Sequence, residues 1–125
     1  MGHILFIHKD AMEKGQGLQD AIAQHFTLSD FQVAKSFSEF KTTLRTFTAY
    51  QHSRIVIIMI ASKDQLTRLH TMEDHLKGMR LVLILPDESK TTRSMALKLY
   101  PRFFTSRSTH YDELLDVLET MMSKK

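Results

Sequence analysis

The feature that most constrains the fold is an unbroken apolar run near the middle of the chain, residues 55–61. Most of its residues are β-branched and none is polar, which is typical of a strand covered on both faces. Its seven residues are far too few to cross a bilayer, which takes about 20. We therefore interpret the run as the central strand of a parallel sheet. Ligands of such sheets bind just past the carboxyl ends of the strands, so residues 59–64 are the first place to look for function.

Shorter apolar runs lie on both sides of this strand and alternate with segments whose apolar residues recur at helical spacing. The other segments predicted as strands are residues 4–7, 31–37, 81–85 and 103–105. The segments predicted as helices are residues 18–26, 38–50, 62–78, 90–99 and 109–122, with Ser38, Ser62 and Thr109 as N-caps. Residues 11–17 are predicted as a loop or a frayed helix. This alternation predicts a doubly wound α/β sandwich, and we expect residues 1–125 to form one domain.

Composition argues against several classes of function. The chain has no cysteine, which rules out disulfides, thiolate metal sites and cysteine nucleophiles. Its net charge of +3 comes from basic and acidic residues spread along the chain, so a nucleic-acid partner is not expected. The first residues lack the basic segment of a signal peptide, and no apolar run is long enough for a membrane span. We expect a cytoplasmic protein that does not contact a membrane.

Two local patterns were weighed as ligand sites. Gly15 and Gly17 precede a predicted helix, but they lack the third glycine of a dinucleotide fingerprint, so an ordinary turn is favoured over a phosphate-binding loop. His70, Glu73 and Asp74 are spaced to share a helix face, but the sequence offers no further ligand for a metal. The chain is therefore predicted to hold no metal and no cofactor, to have no catalytic residues and not to be an enzyme.

The order and spacing of these apolar segments resemble the receiver domain of bacterial response regulators over essentially the whole chain. The segments that carry the resemblance are residues 4–7, 33–37, 55–58 and 81–85, and Ala96-Leu97 followed by residues 103–105. The resemblance implies a flavodoxin-like (CheY-like) three-layer sandwich, in which a five-stranded parallel sheet of order 2-1-3-4-5 is covered by five helices. Because apolar patterns carry it, the resemblance is specific to the fold more than to the family.

Receivers are phosphorylated on an aspartate at the end of the third strand, beside a metal held by an acidic pair after the first strand. A hydroxyl residue ending the fourth strand and a lysine after the fifth contact the phosphoryl group. Carboxylates suit magnesium, and a cation with a hydrogen-bond donor suits the phosphoryl oxygens. The positions that correspond to this pocket here are His8, Lys9, Asp10, Met59, Pro86, Ser106 and Arg107.

This chain departs from the receiver pattern at each of these points. Met59 stands at the position of the aspartate, and His8-Lys9 replaces the acidic pair, with Asp10 as the nearby carboxylate. Pro86 stands at the hydroxyl position, and Arg107 after Ser106 could stand in for the lysine. A thioether cannot accept a phosphoryl group, and a lysine repels magnesium. The resemblance therefore indicates a degenerate member, a pseudo-receiver.

Three hypotheses of function follow. The first is a phosphorylation-independent receiver-like signalling module that binds a protein partner through the face formed by residues 90–122, with Tyr100, Arg102, Arg107 and Tyr111 as candidate contacts; a homodimer could use the same face. The alternative is a flavodoxin-like ligand-binding protein or enzyme. It would use His8, Lys9 and Asp10 with residues 13–17, a segment about four residues longer than in receivers. The third retains weak acidic chemistry through Asp10 or Asp64.

Overall fold

A computed structural model describes residues 3–8, 12–26, 31–48, 55–76, 79–106 and 111–123. The strands are β1 (His3–Ile7), β2 (Phe31–Ala34), β3 (Ile55–Met59), β4 (Arg80–Leu85) and β5 (Phe103–Ser106). The helices are α1 (Met12–His25), α2 (Phe37–Thr48), α3 (Lys63–His70), α4 (Glu73–Leu76), α5 (Lys90–Leu97) and α6 (Asp112–Ser123). None of these helices is both long enough and apolar enough to cross a membrane.

The five strands form one parallel sheet in the order β2-β1-β3-β4-β5. The predicted central strand is β3, and every one of its residues is buried. Ile7 pairs with Met59, and Met59 pairs with Ile84, so these strands end at nearly the same level. The predicted flavodoxin-like topology is confirmed.

Helices cover both faces of the sheet. Val56 and Ile58 point into a core shared with α2, α3, α4 and α5, and we call this the α2–α5 face. Ile57 and Met59 point into a second core shared with α1 and α6, the α1–α6 face. The alternation along β3 explains why the strand is apolar throughout, since each of its sides lies under a layer of helices.

The start of α2 differs from the prediction. The strand predicted over residues 31–37 ends at Ala34, and the N-cap is Ser36 rather than Ser38. The Glu39 N–H donates to Ser36 Oγ at 3.1 Å, and the Lys35 N–H donates to Glu39 Oε2 at 3.0 Å. This reciprocal pair is a variant of the capping box. Phe37 is buried whether the segment is a strand or a helix, so the apolar pattern could not fix the boundary.

The helix predicted over residues 62–78 is divided into α3 and α4. The N–H groups of Thr71 and Met72 donate to carbonyls three residues earlier, and the Thr71 hydroxyl also donates to the Arg68 carbonyl. These bonds tighten the chain and compete with a continuing α-helix. Leu69 and Leu76 are both buried, so the predicted apolar stripe is right although the helix is not continuous.

The segment predicted as a loop or frayed helix after the first strand is largely helical, since α1 begins at Met12. Gly15 is buried in its second turn, where a Cβ atom would lie 2.2 Å from Ile7 Cγ2. The glycine therefore lets α1 lie directly against β1. The expected extension over residues 13–17 and the ordinary turn favoured at Gly15 and Gly17 are wrong, because both glycines lie inside α1. The same helix leaves no loop there for the alternative, a phosphate-binding turn.

Candidate functional site

The carboxyl edge of the sheet gathers the predicted pocket residues that the structure describes. Met59 and Ser106 end β3 and β5, while His8 and Pro86 directly follow β1 and β4. Because the strands are parallel and end at similar levels, these four residues lie along one edge. The other predicted members, Lys9, Asp10 and Arg107, lie outside the described residues, as does the predicted cap Thr109.

Met59 is a core residue at this edge. Its side chain is 1% exposed and packs on the α1–α6 face, in the same cluster as Ile7, Leu18 and Ile84. A thioether in such a place can neither coordinate magnesium in the manner of a carboxylate nor act as a phosphoryl acceptor. At the position where the resemblance implies a phosphorylated aspartate, this chain has a buried methionine that packs in the core.

The β1 end of the edge carries an aromatic and cationic cluster. The half-buried His8 ring lies 5.8 Å from the ring centroid of Phe37 and 6.4 Å from that of Phe6, tilted in both cases. The guanidinium carbon of Arg68, on α3, lies 4.1 Å from the Phe37 centroid, which is cation–π geometry. His8 therefore packs against rings at a place where receivers carry an acidic side chain.

Two of the three residues weighed as metal ligands lie on a different helix from the third. His70 ends α3, whereas Glu73 and Asp74 begin α4. The His70 Nε2 atom makes a 3.0 Å hydrogen bond with the Met95 carbonyl of α5. This contact gives His70 a structural role in joining α3 to α5.

The β4–α5 loop is held by a small network of hydrogen bonds. The Ser89 N–H donates to Asp87 Oδ1 at 2.9 Å, and Ser89 Oγ caps α5 by accepting from the Thr92 N–H at 3.2 Å. Ser89 Oγ also donates to Thr92 Oγ1, and the Thr92 side chain is fully buried. Hydrogen bonds from the Ser89 side chain and backbone lower the pKa of Asp87, and Thr92 and Lys63 add smaller effects in the same direction.

A cavity of about 410 Å³ lies between this loop, α5 and β5, and we call it the β4–β5 cavity. Its lining residues are Leu85, Asp87, Glu88, Arg93, Phe104, Thr105 and Ser106. The Ser106 hydroxyl donates to Glu88 Oε1 at 3.1 Å and so links the strand to the loop. Leu85 and Phe104 belong to the core of the α2–α5 face, so the cavity and Met59 lie on opposite faces of the sheet.

Of the predicted pocket residues, Ser106 lines the cavity. Sequence reasoning missed Asp87, Glu88 and Arg93. Asp87 and Glu88 lie two and three residues after the end of β4, a strand that was predicted correctly, so their place at the carboxyl edge could have been found. In this loop, the receiver resemblance assigns only Pro86 to the pocket. Arg93 could not have been found in this way, because its place depends on how α5 packs.

The predicted partner surface is described in part. Tyr100 is 84% exposed, as expected, and its φ of 55° places it in the left-handed region. Leu97, which was not predicted, is 54% exposed, and Arg102 is exposed. Tyr111 is wrong as a surface contact, because it is 8% exposed and packs in the core of the α1–α6 face. Arg107 lies outside the described residues.

The sequence matches no protein-family model and no curated protein. The structure is similar to the crystal structure of a response regulator from Thermotoga maritima, with a TM-score of 0.66 and 12% sequence identity. The match covers 99% of this chain and 100% of that chain. At this level of identity the likeness shows a shared fold, which agrees with the observed strand order, and function has to be argued from the residues themselves.

Proposed function

We propose that the chain is a receiver-like signalling module that works without phosphorylation and acts by binding another protein. The single observation that carries the proposal is the burial of Met59 at the end of β3. In the receivers that the chain resembles, the residue at this place is the phosphorylated aspartate. The fold is retained here, while the residue needed for phosphotransfer is replaced by one that packs.

The surroundings of Met59 support phosphorylation independence. Its partners in the sheet are Ile7 and Ile84, both buried, so no solvent-exposed oxygen ligand for magnesium comes from these positions. His8, which follows β1, packs against aromatic rings beside the cationic Arg68. A divalent cation would be repelled by a guanidinium at such a site.

Partner binding is supported by an exposed patch at the end of α5. Leu97 and Tyr100 are the exposed large hydrophobic residues in the part of the chain that the structure describes. They lie next to the exposed basic residues Lys98 and Arg102, and we call these four residues the α5 patch. Tyrosine and arginine are enriched among the residues that contribute most to protein interfaces, so Tyr100 and Arg102 are the main candidate contacts of the patch.

The charges flanking β5 favour a second copy of the chain as the partner. The strand lies at one edge of the sheet, with the basic end of α5 on one face and α6 on the other. The exposed acidic residues of α6 include Asp112, Glu113 and Asp116. A twofold axis can place the basic α5 patch of one copy against the acidic α6 of the other.

Phosphorylation independence is tested by treating the purified chain with acetyl phosphate and magnesium and then measuring its intact mass. We expect no change in mass. The appearance of a species heavier by one phosphoryl group, lost again on mild base treatment, would show that an acyl phosphate forms and that the proposal is wrong.

The partner proposal is tested by measuring molar mass by light scattering over a range of protein concentrations. We expect dimers that weaken in the variants Leu97→Ser and Tyr100→Ser and in added salt. Lys41→Ser, an exposed change on α2, serves as the control and should leave dimerisation unchanged. A monomer at every concentration would exclude the second copy as the partner.

A further inference from the structure

We propose that the β4–β5 cavity binds a small zwitterion, an α-amino acid with a neutral or basic side chain. This proposal does not depend on the proposed function, because it concerns a separate cavity and a free metabolite. It rests on the size of the cavity, its apolar floor and two oppositely charged side chains that are not paired with each other.

The size and the floor of the cavity suit a small organic ligand. A volume of about 410 Å³ exceeds what one amino acid needs and falls in the range of small-molecule sites. The floor is formed by Leu85, which is buried, and Phe104, which is half-buried and packs against the core of the α2–α5 face. The side chain of a ligand can cover this floor and remove its apolar surface from water.

The two charged groups that define the ligand are Arg93 on α5 and Glu88 on the β4–α5 loop. Within the described residues, the Arg93 guanidinium makes no ion pair or side-chain hydrogen bond, and Glu88 accepts a bond from the neutral Ser106 hydroxyl. Both groups line one cavity, yet they do not form a salt bridge with each other. A ligand carboxylate can bind the guanidinium in bidentate fashion while the ligand ammonium binds Glu88.

The remaining carboxylate sets the expected selectivity. Asp87 is held at the start of α5 by hydrogen bonds from the Ser89 backbone and side chain, whereas Glu88 accepts a single bond, from the Ser106 hydroxyl, so we assign the ammonium group to Glu88. Two carboxylates against one guanidinium leave the described lining with a net negative charge. An amino acid with an acidic side chain should therefore bind more weakly than one with a neutral or basic side chain.

The first test is an amide NMR titration of the full chain with L-leucine and matched analogues. Isocaproate keeps the carboxylate of leucine without the amine, and isoamylamine keeps the amine without the carboxylate. We expect saturable shifts around residues 85–88 and 103–106 with leucine, and affinity at least about tenfold lower for each analogue, because a lost hydrogen bond to a charged group costs that much. L-lysine should bind like leucine, and L-glutamate more weakly.

The second test asks whether Arg93 binds the carboxylate of the ligand and Glu88 binds its ammonium group. Arg93→Gln should reduce the affinity for leucine to that for isoamylamine, and Glu88→Gln should reduce it to that for isocaproate. Lys41→Gln and Asp20→Asn change exposed charges on α2 and α1, outside the cavity, and should leave the affinity for leucine unaltered. Because Glu88 and Arg93 are exposed, the amide spectra of both variants should keep the wild-type dispersion.

Three results would overturn the proposal. One is the lack of saturable shifts at leucine concentrations on the order of 10 mM, the weak end of specific binding. Another is equal affinity for leucine and its two analogues, which would mean that the paired charges are not recognised. The third is binding that survives in both Arg93→Gln and Glu88→Gln, or shifts that map to a different part of the sheet.

Discussion

The carboxyl edge of the sheet has two halves, one formed by β1 and β3 and the other by β4 and β5. They differ in the side chains that lie at the ends of the strands. In the β1–β3 half, Met59 lies in the core, and the His8 ring packs at a tilt against Phe37, whose face is covered by Arg68. The β4–β5 half keeps a cavity lined by Asp87, Glu88 and Arg93. In a receiver-like fold, chemistry would be sought in the first half. The difference is that side-chain packing fills the first half, whereas charged side chains line a cavity in the second.

The largest effect is expected when a carboxylate is introduced into the β1–β3 half. Met59→Asp places an unpaired charge among Ile7, Leu18 and Ile84, so we expect the free energy of unfolding to fall by about 3–5 kcal/mol. Met59→Leu keeps the apolar volume and should cost less than about 1.5 kcal/mol. Urea unfolding monitored by circular dichroism gives both values. If Met59→Asp were as stable as the wild type, the site would have to be open to water or to a cation.

A second test concerns the close packing of α1 on the same half. Gly15→Ala would place a methyl group 2.2 Å from Ile7 Cγ2, and the resulting overpacking should lower the free energy of unfolding by about 1–3 kcal/mol. Gly17→Ala is the matched control, since its Cβ meets no atom within 4 Å and alanine favours the helix by about 0.5–1 kcal/mol. The two changes should therefore have opposite signs in the same urea titration. A stabilising Gly15→Ala would show that α1 does not need the glycine to approach β1.

Gly15 also shows why part of the fold could not be predicted from the sequence. The strands were predictable from the apolar runs and the helical segments between them, and their order was implied by the resemblance to receiver domains. The start of α1 was not predictable, since two glycines in three residues are typical of a loop. The reason for Gly15 is tertiary contact with Ile7, which the local sequence does not contain. The boundary between β2 and α2 was not predictable for a similar reason. Phe37 is buried, and burial of an apolar residue is equally expected in a strand and in a helix.

The candidate site was predictable to the level of the sheet edge and no further. Four predicted residues lie at the carboxyl edge, as the predicted strand ends required: His8, Met59, Pro86 and Ser106. The sequence did not reveal that Met59 faces α1 and α6 while the cavity opens on the opposite face. That distinction depends on the register between strands and on the packing of α5, which brings Arg93 to the cavity.

In the β4–β5 half, hydrogen bonds rather than a sealed core hold the β4–α5 loop. Ser89→Ala removes the acceptor of the Thr92 N–H and leaves the buried Thr92 hydroxyl without the Ser89 oxygen. We expect a loss of about 1 kcal/mol, the usual effect of removing an N-cap. Ser94→Ala, an exposed change on the same helix, should stay within about 0.5 kcal/mol of the wild type. Equal values for the two variants would mean that the observed cap does not stabilise α5.

The smallest effect expected is the contribution of Asp87 to the dependence of the unfolding free energy on pH. Hydrogen bonds from Ser89 lower the pKa of this carboxyl below its ordinary value of 3.8, so the folded state binds its proton less readily than the unfolded state does. The resulting stabilisation is complete above the ordinary value and is lost as the pH falls through the lowered one. The difference in unfolding free energy between wild type and Asp87→Asn should therefore be present at neutral pH and shrink on acidification below about pH 4. Asp116→Asn, an exposed change on α6, serves as the control in the same urea titrations. A difference that grows on acidification would mean that the hydrogen bonds at the start of α5 do not favour the ionised carboxyl.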